Sequence, residues 1–386
     1  MGNSHSTDTP RHSSLPNIPV IERSSPALKF PRSITSQNSS SLSLSGNSKF
    51  SSAGKLSLDS LPVSSIHPLQ NGSSLLAPSI KSPGSSRRNS FSSFRVTTSP
   101  EPEKYVWIAG KRFHNVEGSG YLFPCDDEEI DRMHLQHFMV RFAIQGNYLA
   151  PVSDSLRNGA AVLDVGCGPG SWTMEIAGEY PKSEVVGIDM TSMFPTEIKP
   201  INCQFMRTNI LEKLPFDDDS FDFIFMRFIQ MGIEEEQWDT VLEELVRVAK
   251  PGAYIELVES DLERYRVGPC IANFDKRLTE SLKARNMDPY VARRLDQLLI
   301  RHGLVNVKKR FISSPAGEWA GKLGQLTLQS WKAKAEALKP QLCMSWNTTQ
   351  EQYESLMNAC LSEADIHKSY ENIHFAYGQK PILQRT

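Results

Sequence analysis

A short apolar segment that runs directly into a glycine-rich turn is the feature that most constrains the fold of this chain. Residues 162–166 read Val-Leu-Asp-Val-Gly, and the turn continues as Cys-Gly-Pro-Gly to Gly170. An apolar run of this length, bounded by a turn, predicts a buried strand. Glycine permits positive φ and lets backbone N–H groups approach a ligand closely. We therefore expect a strand, a ligand-binding turn and then a helix.

The spacing of Gly166, Gly168 and Gly170 distinguishes this turn from the common dinucleotide fingerprint. That fingerprint is G-x-G-x-x-G, and it opens a helix whose N-terminus receives a pyrophosphate. Here the third glycine comes one residue early, and Pro169 stiffens the loop. The spacing therefore favours a ligand other than a dinucleotide.

Two aspartates extend this interpretation. Asp164 lies two residues before Gly166, where its carboxylate would repel a pyrophosphate but would hold the ammonium group of a methionine-derived cofactor. Asp189 closes the next apolar segment, a position from which a carboxylate can accept hydrogen bonds from ribose hydroxyls. Either aspartate alone is equally typical of a turn at a strand end. Together with the glycines, they predict a site for S-adenosylmethionine.

Helices and strands alternate from Tyr105 onward, which is typical of an α/β fold with a mostly parallel sheet. We expect strands at 160–164, 184–189, 203–208, 221–228, 253–259, 305–312 and 373–377. We expect helices at 126–149, 171–178 and 234–250, and near 271–286, 288–302, 318–338 and 348–368. The pattern predicts a seven-stranded, doubly wound, Rossmann-like sheet, with helices between the last two strands packed as a cap over one end.

The composition changes near residue 100. Thirty of the first 100 residues are serine, and their apolar residues show no sustained period that could cover a core. Such a segment cannot offset a chain entropy of roughly 1–2 kcal/mol per residue. We therefore expect a disordered Ser-rich tail at 1–100 and one domain at 101–386, with its core at 150–262 and a helix-rich cap with the last strands at 263–386.

Charge and cysteine content narrow the function classes. Residues 1–100 contain ten Lys and Arg and three Asp and Glu. The remaining residues contain 32 Lys and Arg and 41 Asp and Glu, so they are net acidic. An acidic body lacks the dense basic face of a nucleic-acid-binding domain, so nucleic acid is not an expected partner. The six cysteines are widely spaced and form no CxxC pair, so we predict neither a zinc site nor a disulfide framework.

Residues 160–260 resemble the class I S-adenosylmethionine-dependent methyltransferases. The resemblance rests first on residues 162–170 and on Asp189. Asn209-Ile210 stands where the family usually has Asp and an apolar residue. Two later matches are the Leu-Pro-Phe and Ser-Phe-Asp stretches at 214–216 and 220–222, and the Arg-Val-Ala-Lys-Pro-Gly turn at 247–252. Over about residues 105–381, the chain is more narrowly similar to fungal methyltransferases that include regulators of secondary metabolism.

This resemblance implies the members of the site. The residues predicted to bind the cofactor are Asp164, Gly166, Cys167, Gly168, Asp189, Met190, Asn209, Ile210 and Arg227. An Asn at position 209 can still contact adenine, because its amide both donates and accepts. The helix ahead of the sheet is expected to cover the cleft and to turn Tyr121, Arg132, Gln136 and His137 toward it.

Two functional hypotheses follow. The first is methyl transfer to a small-molecule or protein acceptor, and the second is a regulatory protein that binds S-adenosylmethionine without turnover and acts through partners. Methyl transfer mainly requires alignment of the acceptor and exclusion of water, so few catalytic groups are obligatory. His137 and Glu259 are candidate acid-base groups, but no catalytic residue is assigned. Residues 227–230 lack the Asn/Asp-Pro-Pro-Tyr/Phe run that grips a nucleobase amine.

The tail carries further hypotheses. Met1-Gly2 and Ser6 fit the pattern for N-myristoylation at Gly2, which would add peripheral membrane association to a cytoplasmic or nuclear protein. Residues 87–91, Arg-Arg-Asn-Ser-Phe, resemble a site for basic-directed kinases, and three Ser-Pro pairs resemble proline-directed sites. Kinases and phospho-dependent partners are therefore expected to act through the tail.

Overall fold

The fold was analysed in a computed structural model, which describes residues 104–116 and 119–382. The strands are β1 (Tyr105–Ile108), β2 (Lys111–His114), β3 (Ala161–Val165), β4 (Glu184–Asp189), β5 (Cys203–Arg207), β6 (Phe221–Arg227), β7 (Ala249–Ser260), β8 (Val305–Pro315) and β9 (Tyr370–Gln379). The helices are α1 (Asp127–Ile144), α2 (Ser153–Asn158), α3 (Ser171–Glu179), α4 (Gln237–Val248), α5 (Pro269–Lys283), α6 (Leu295–Arg301), α7 (Gly321–Trp346) and α8 (Gln350–Ile366).

Seven of these strands form one sheet in the order β5-β4-β3-β6-β7-β9-β8. Strands β3 to β7 pair in parallel, and β9 pairs antiparallel with both β7 and β8. The strand order reverses between β3 and β6, and crevices at such reversals are the usual ligand sites of open α/β sheets. The predicted seven-stranded, doubly wound, Rossmann-like α/β fold is therefore confirmed.

The central strands are buried on both faces, as expected of a parallel sheet covered by helices. In β6, Phe221, Phe223, Ile224 and Phe225 are at most 1% exposed. Helix α4 covers one face with the stripe Trp238, Val241, Leu242, Leu245 and Val248, spaced three and four residues apart. On the other face, Trp172 of α3 stacks on Phe225 at a centroid distance of 4.1 Å.

Helix α1 crosses ahead of the sheet and begins where the sequence predicts. The Asp126 side chain caps it by accepting a hydrogen bond from the Glu129 N–H at 3.0 Å. Helix α7, the longest, lies in the insertion between β8 and β9 and packs on α1, α5 and α8. This helical layer is the predicted cap, and it has its own apolar cluster around Leu338, Tyr353 and Ile271.

The structure departs from the sequence-based prediction in several places. Strands β1 and β2 form a separate antiparallel hairpin that was not predicted, and neither was α2. Helix α4 ends at Val248, and β7 begins at Ala249 rather than at 253. The expected helix at 288–302 is a 3-10 turn at Val291–Arg294 followed by α6. These are errors in boundaries and in short elements, whereas the order of the main elements is as predicted.

Three predictions fall outside the described residues: the disordered tail at 1–100, myristoylation at Gly2 and the kinase site at 87–91. Within the described part of the chain, no helix is both long and apolar enough to cross a membrane.

The stripe on α4 generates a stability prediction. Leu242 is completely buried against the sheet, so Leu242→Ala removes packed methyl groups and leaves a cavity. We expect the free energy of unfolding to fall by about 2–5 kcal/mol, as measured by urea denaturation. Glu243→Ala, on the exposed side of the same helix, is the control and should change it by no more than about 0.5 kcal/mol. Equal effects of the two substitutions would contradict this packing of α4.

Candidate active site

A deep cleft opens at the carboxyl ends of β3 to β6, where the strand order reverses. Its empty volume, counted out to solvent at the mouth, is about 1060 Å³. The cleft is lined by the glycine turn with the start of α3, by the ends of β4, β5 and β6 with the loop after β6, and by α1 with the end of β2 and the segment that precedes α1. A cleft in this position is the default ligand site of an open α/β sheet.

The backbone conformation of the turn after β3 requires glycine at three positions. Gly166, Gly168 and Gly170 all have positive φ, at 69°, 53° and 75°. A Cβ on Gly168 would lie 2.8 Å from the sulfur of Met133, and a Cβ on Gly170 would collide with the ring of Phe205. A side chain at either position would therefore strain the backbone and fill space beside the cleft.

Asp189, at the end of β4, holds this turn in place. One carboxylate oxygen accepts a hydrogen bond from the Gly168 N–H at 2.9 Å, and the other accepts from the N–H and hydroxyl of Thr191 at 2.9 and 3.0 Å. Burial raises the pKa of Asp189, while the hydrogen bonds from Thr191 and Gly168 oppose that shift. A carboxylate offers about four acceptor sites, so Asp189 retains capacity for a ligand hydroxyl.

Asp164, on the neighbouring strand β3, also lines the cleft. Its side chain accepts a hydrogen bond from the Thr173 hydroxyl at 2.5 Å. Only 4% of the residue is exposed, and burial raises the pKa of Asp164 to about 7. A cation bound beside this carboxylate would stabilise its ionised form. The site is therefore suited to a positively charged group.

Arg227, at the end of β6, faces the cleft from the other side of β3. Burial lowers the pKa of Arg227 to about 10, which leaves the guanidinium charged at neutral pH. Its Nη2 lies 3.1 Å from Nδ1 of His137, and Nε2 of His137 lies 2.7 Å from a Glu175 oxygen. Burial, reinforced by Arg227, lowers the pKa of His137. A neutral His137 accepts from Arg227 and donates to Glu175, so it bridges two charges and has no nitrogen left to act as a base.

Helix α1 forms the wall opposite the sheet. Tyr121, Arg132, Gln136 and His137 all line the cleft, as the resemblance implied. The guanidinium of Arg132 makes two hydrogen bonds with the Glu129 carboxylate, at 2.8 and 2.7 Å, so its charge is balanced within the helix. Ahead of α1, the Ser119 hydroxyl lies 3.6 Å from the sulfur of Met190 across the cleft.

The structure brings together eight of the nine residues predicted to bind the cofactor. Asp164, Gly166, Cys167, Gly168, Asp189, Met190, Ile210 and Arg227 line the cleft. Asn209 is absent from the lining. Its Oδ1 accepts from the Leu211 N–H at 3.1 Å and its Nδ2 donates to Glu212 at 3.3 Å, so the side chain is held in its own turn. The roles of these nine residues in cofactor binding stay predictions.

Glu259, a candidate acid-base group, is not on the cleft lining either. Its Oε1 accepts hydrogen bonds from the N–H groups of Ile229 and Gln230 at 2.8 and 3.2 Å. Burial raises the pKa of Glu259 to about 8. These contacts let Glu259 support the loop after β6. Its Oε2 is buried without a hydrogen-bond partner among the described residues, and the residue is not part of the cleft lining.

Sequence reasoning missed several lining residues. Thr191 lies two residues after β4 and Thr208 directly follows β5, and their place at or just beyond the ends of predicted strands was a usable signal. His114 reaches the cleft from the end of β2. Its only signal was the Ala109-Gly110 turn after Tyr-Val-Trp-Ile, a short run of aromatic and β-branched residues.

A family model described as a methyltransferase domain matches residues 162–252. The chain is 28% identical to the secondary metabolism regulator LAE1 of Cochliobolus heterostrophus over 58% of this chain and 74% of that protein. It is 33% identical to the secondary metabolism regulator laeA of Aspergillus fumigatus, over 45% of this chain and 46% of the relative. It is 32% identical to the protein-methionine methyltransferase laeA of Emericella nidulans, over 40% of each chain. The match thus spans less than half of the latter two relatives.

The buried carboxylate of Asp164 generates a prediction about stability and pH. The pKa of Asp164 is raised to about 7 in the folded chain from an ordinary value of 3.8, so ionisation between these values destabilises the unliganded fold. Asp164→Asn removes this charge and still accepts from Thr173. At pH 8 we expect the variant to be more stable than the wild type by about 1–3 kcal/mol in urea unfolding.

The difference should shrink as the pH falls from 7 and disappear below about pH 3, where Asp164 is protonated in both the folded and the unfolded states. Thr191→Val, which alters a neighbouring polar contact without touching Asp164, serves as the control. A difference between Asp164→Asn and wild type that stays constant from pH 4 to pH 8 would contradict the raised pKa.

Proposed function

The chain belongs to the class I S-adenosylmethionine-dependent methyltransferases, and from that premise we propose that its cleft binds S-adenosylmethionine and directs methyl transfer to a small-molecule or protein acceptor. The observation that carries the proposal is the combination of a positive-φ glycine turn with two carboxylates, Asp164 and Asp189, on adjacent strand ends. The cofactor is a cationic nucleoside, and these residues offer an anionic side chain at each end of the turn.

The residues of the cleft fit the parts of this cofactor. Asp164 would hold the ammonium group, because its buried carboxylate lacks a cationic partner at hydrogen-bond distance. Arg227 would hold the carboxylate of the methionine part. Asp189 would accept from ribose hydroxyls, and Met190 and Ile210 would contact the adenine.

When bound, the cofactor would supply a methyl group on a sulfonium sulfur, which an acceptor would take in line with a neutral thioether as the leaving group. The chain itself has to orient the acceptor and exclude water. Two elements can exclude water: α1 lies across the glycine turn with Met133 against Gly168, and the Tyr121 ring packs against Gly232 after β6. The bridge from Arg227 through His137 to Glu175 fixes the position of the guanidinium.

A second candidate function is cofactor binding without turnover, with a regulatory role exerted through partners. Two observations favour it. Asn209 replaces the acidic residue usual in the family and lies outside the cleft. Two of the relatives are named regulators, and a third is named a protein-methionine methyltransferase. Both candidates require cofactor binding, so a test must measure binding and transfer separately.

Calorimetry with S-adenosylmethionine and S-adenosylhomocysteine measures binding directly. Transfer is then followed by incubating the full chain with methyl-labelled cofactor and cell lysate, and by separating precipitated protein from small molecules. Label in either fraction supports the enzyme, and binding without label supports the regulatory role. Absence of binding would exclude both.

Substitutions in the turn test the site. Gly168→Val places a branched side chain at φ 53° against Met133, and we expect cofactor affinity to fall by about 100-fold or more. Asp189→Ala removes a charged hydrogen-bond acceptor, and we expect a loss of about 10- to 100-fold. Both are measured by calorimetry, with circular dichroism confirming that the fold persists. Gly178→Val is the matched control. Gly178 on α3 has open space around it, so this variant should bind the cofactor with normal affinity.

We also propose that the tail regulates this activity, through phosphorylation of Ser90 and through an acyl group on Gly2. A single acyl chain binds membranes only marginally, so the basic residues of the tail would have to assist. Mass spectrometry of the native protein that finds neither modification would dispose of this part of the proposal.

A further inference from the structure

His114 presents an unsatisfied imidazole at the candidate active site. It lies at the end of β2 and lines the cleft. Both ring nitrogens are buried, and neither has a hydrogen-bond partner among the described residues. Buried polar atoms in folded proteins almost always have partners, so an orphaned pair at a ligand site points to a partner that arrives with the ligand.

The other lining histidine cannot supply this function. Both nitrogens of His137 are engaged, one by Arg227 and one by Glu175. Glu259, the other acid-base candidate, supports the loop after β6 and does not line the cleft. Among the histidines and carboxylates that line the described part of the cleft, His114 is therefore the base that no structural hydrogen bond engages.

The surroundings of His114 indicate which acceptor would reach it. The His114 ring lies 5.8 Å from that of Tyr121, and both residues line the cleft. Phe123 packs behind Tyr121 at 5.5 Å, and the Arg132 guanidinium lies 4.7 Å from the Phe123 ring. Across the cleft, the loop after β6 contributes Phe228, Ile229 and Ile233. This part of the cleft is apolar, with the imidazole and the Tyr121 hydroxyl as its polar groups.

The charges of the cleft lie elsewhere or are already balanced. Arg132 is neutralised by its two hydrogen bonds to Glu129. Asp164, Asp189 and Arg227 surround the glycine turn and are assigned to the cofactor under the proposed function. The Arg132 guanidinium over the Phe123 ring is already paired with Glu129. A charged acceptor would therefore find no free counter-ion beside Tyr121 among the described residues, whereas a neutral acceptor would bury apolar surface there.

We propose, on the premise of the proposed function, that His114 is the proton acceptor for a neutral, largely apolar acceptor that carries a weakly acidic hydroxyl, as a phenol or an enol does. The hydroxyl oxygen forms a bond to the methyl carbon, and the carbon–sulfur bond breaks with its electron pair moving to sulfur. The hydroxyl proton passes to the imidazole of His114. The resulting imidazolium then releases the proton to solvent.

The protonation state of His114 agrees with this assignment. Burial lowers the pKa of His114, and no charged side chain contributes to the shift. The imidazole is therefore neutral at neutral pH, which is the form that a base requires. Two titratable side chains neighbour His114: Tyr105, its cross-strand partner on β1, and Tyr121. Burial raises the pKa of Tyr121, so that phenol stays neutral as well.

A titration by nuclear magnetic resonance tests the position of His114 without requiring turnover. The full chain, labelled with nitrogen-15 histidine, is titrated with S-adenosylhomocysteine bound and again with S-adenosylmethionine bound. The two ligands differ by the methyl group and its positive charge. If His114 faces the reacting centre, that charge should lower its pKa by about half to one pH unit.

His302, at the end of α6 beside Asp239, lies outside the cleft lining and is the internal control, with no expected change. An equal midpoint for His114 in the two complexes would place it away from the methyl group and overturn the proposal. Failure of the wild type to bind either ligand would instead overturn the proposed function on which this inference rests.

Variants test the proton transfer itself. His114→Gln keeps a polar side chain that can donate and accept hydrogen bonds but cannot take a proton at neutral pH, and His114→Ala removes it. With a panel of phenolic acceptors and labelled cofactor, we expect both variants to bind the cofactor within about twofold of wild type. Methyl transfer should fall by about 100-fold or more in both, with loss of the rise in rate with pH.

Two results would contradict the assignment. Rescue of transfer by His114→Gln would give His114 a hydrogen-bonding role only. A thioether acceptor has no proton to lose. If only such an acceptor is methylated, and at the same rate in wild type and His114→Ala, the result would exclude both the role of His114 as a base and the proposed acceptor class.

Discussion

The hydrogen bond between the Asp189 carboxylate and the N–H of Gly168 joins the two strands on which the cleft depends. It ties the end of β4 to the turn that follows β3, and the same carboxylate binds Thr191 on its other side. Gly166 and Cys167 add two hydrogen bonds from their N–H groups to the Ile188 carbonyl, both at 2.9 Å. The turn is therefore preorganised before any ligand arrives, so little of the binding energy would be needed to order it.

The same cleft contains two charged side chains whose burial destabilises the folded chain. Burial shifts the pKa of Asp164 and of Arg227 toward the neutral form, and each charge offsets part of the shift of the other. Such groups destabilise a folded chain unless a partner compensates them. A zwitterionic ligand end placed between them would compensate both. The burial that costs the folded chain stability would therefore also favour a ligand that carries the two complementary charges.

The sequence predicted the sheet because its strands are uninterrupted apolar runs with clear ends, as in Glu184–Asp189, whose predicted and observed bounds are identical. The hairpin of β1 and β2 escaped prediction because each strand has four residues and β1 is almost entirely exposed, so no burial pattern marks it. His114 was missed with it. A residue on an unrecognised element cannot be assigned to a cleft that forms only in three dimensions.

Side-chain direction was the second limit. Asn209 follows β5, as expected of a residue near the adenine, but a hydrogen bond to its own turn directs it elsewhere. Glu259 stands near the end of β7, yet it faces the backbone at Ile229, where the left-handed conformation of Phe228, with φ 58°, reorients the chain. Neither local bond follows from composition or periodicity. The glycine turn was predictable because its requirement is for backbone freedom, which the residue type itself encodes.

The cap contributes to the site through α1. One face of this helix packs on α7, while residues on the other contact the cleft: Met133 lies against Gly168, and the His134 ring lies 2.9 Å from the Ser171 hydroxyl at the start of α3. Because α7 belongs to the insertion between β8 and β9, the C-terminal third of the chain fixes the helix that covers the glycine turn. Under the proposed function, the cofactor would be held by residues at the ends of the sheet strands, whereas the shape of the acceptor side would depend on how firmly the cap holds α1.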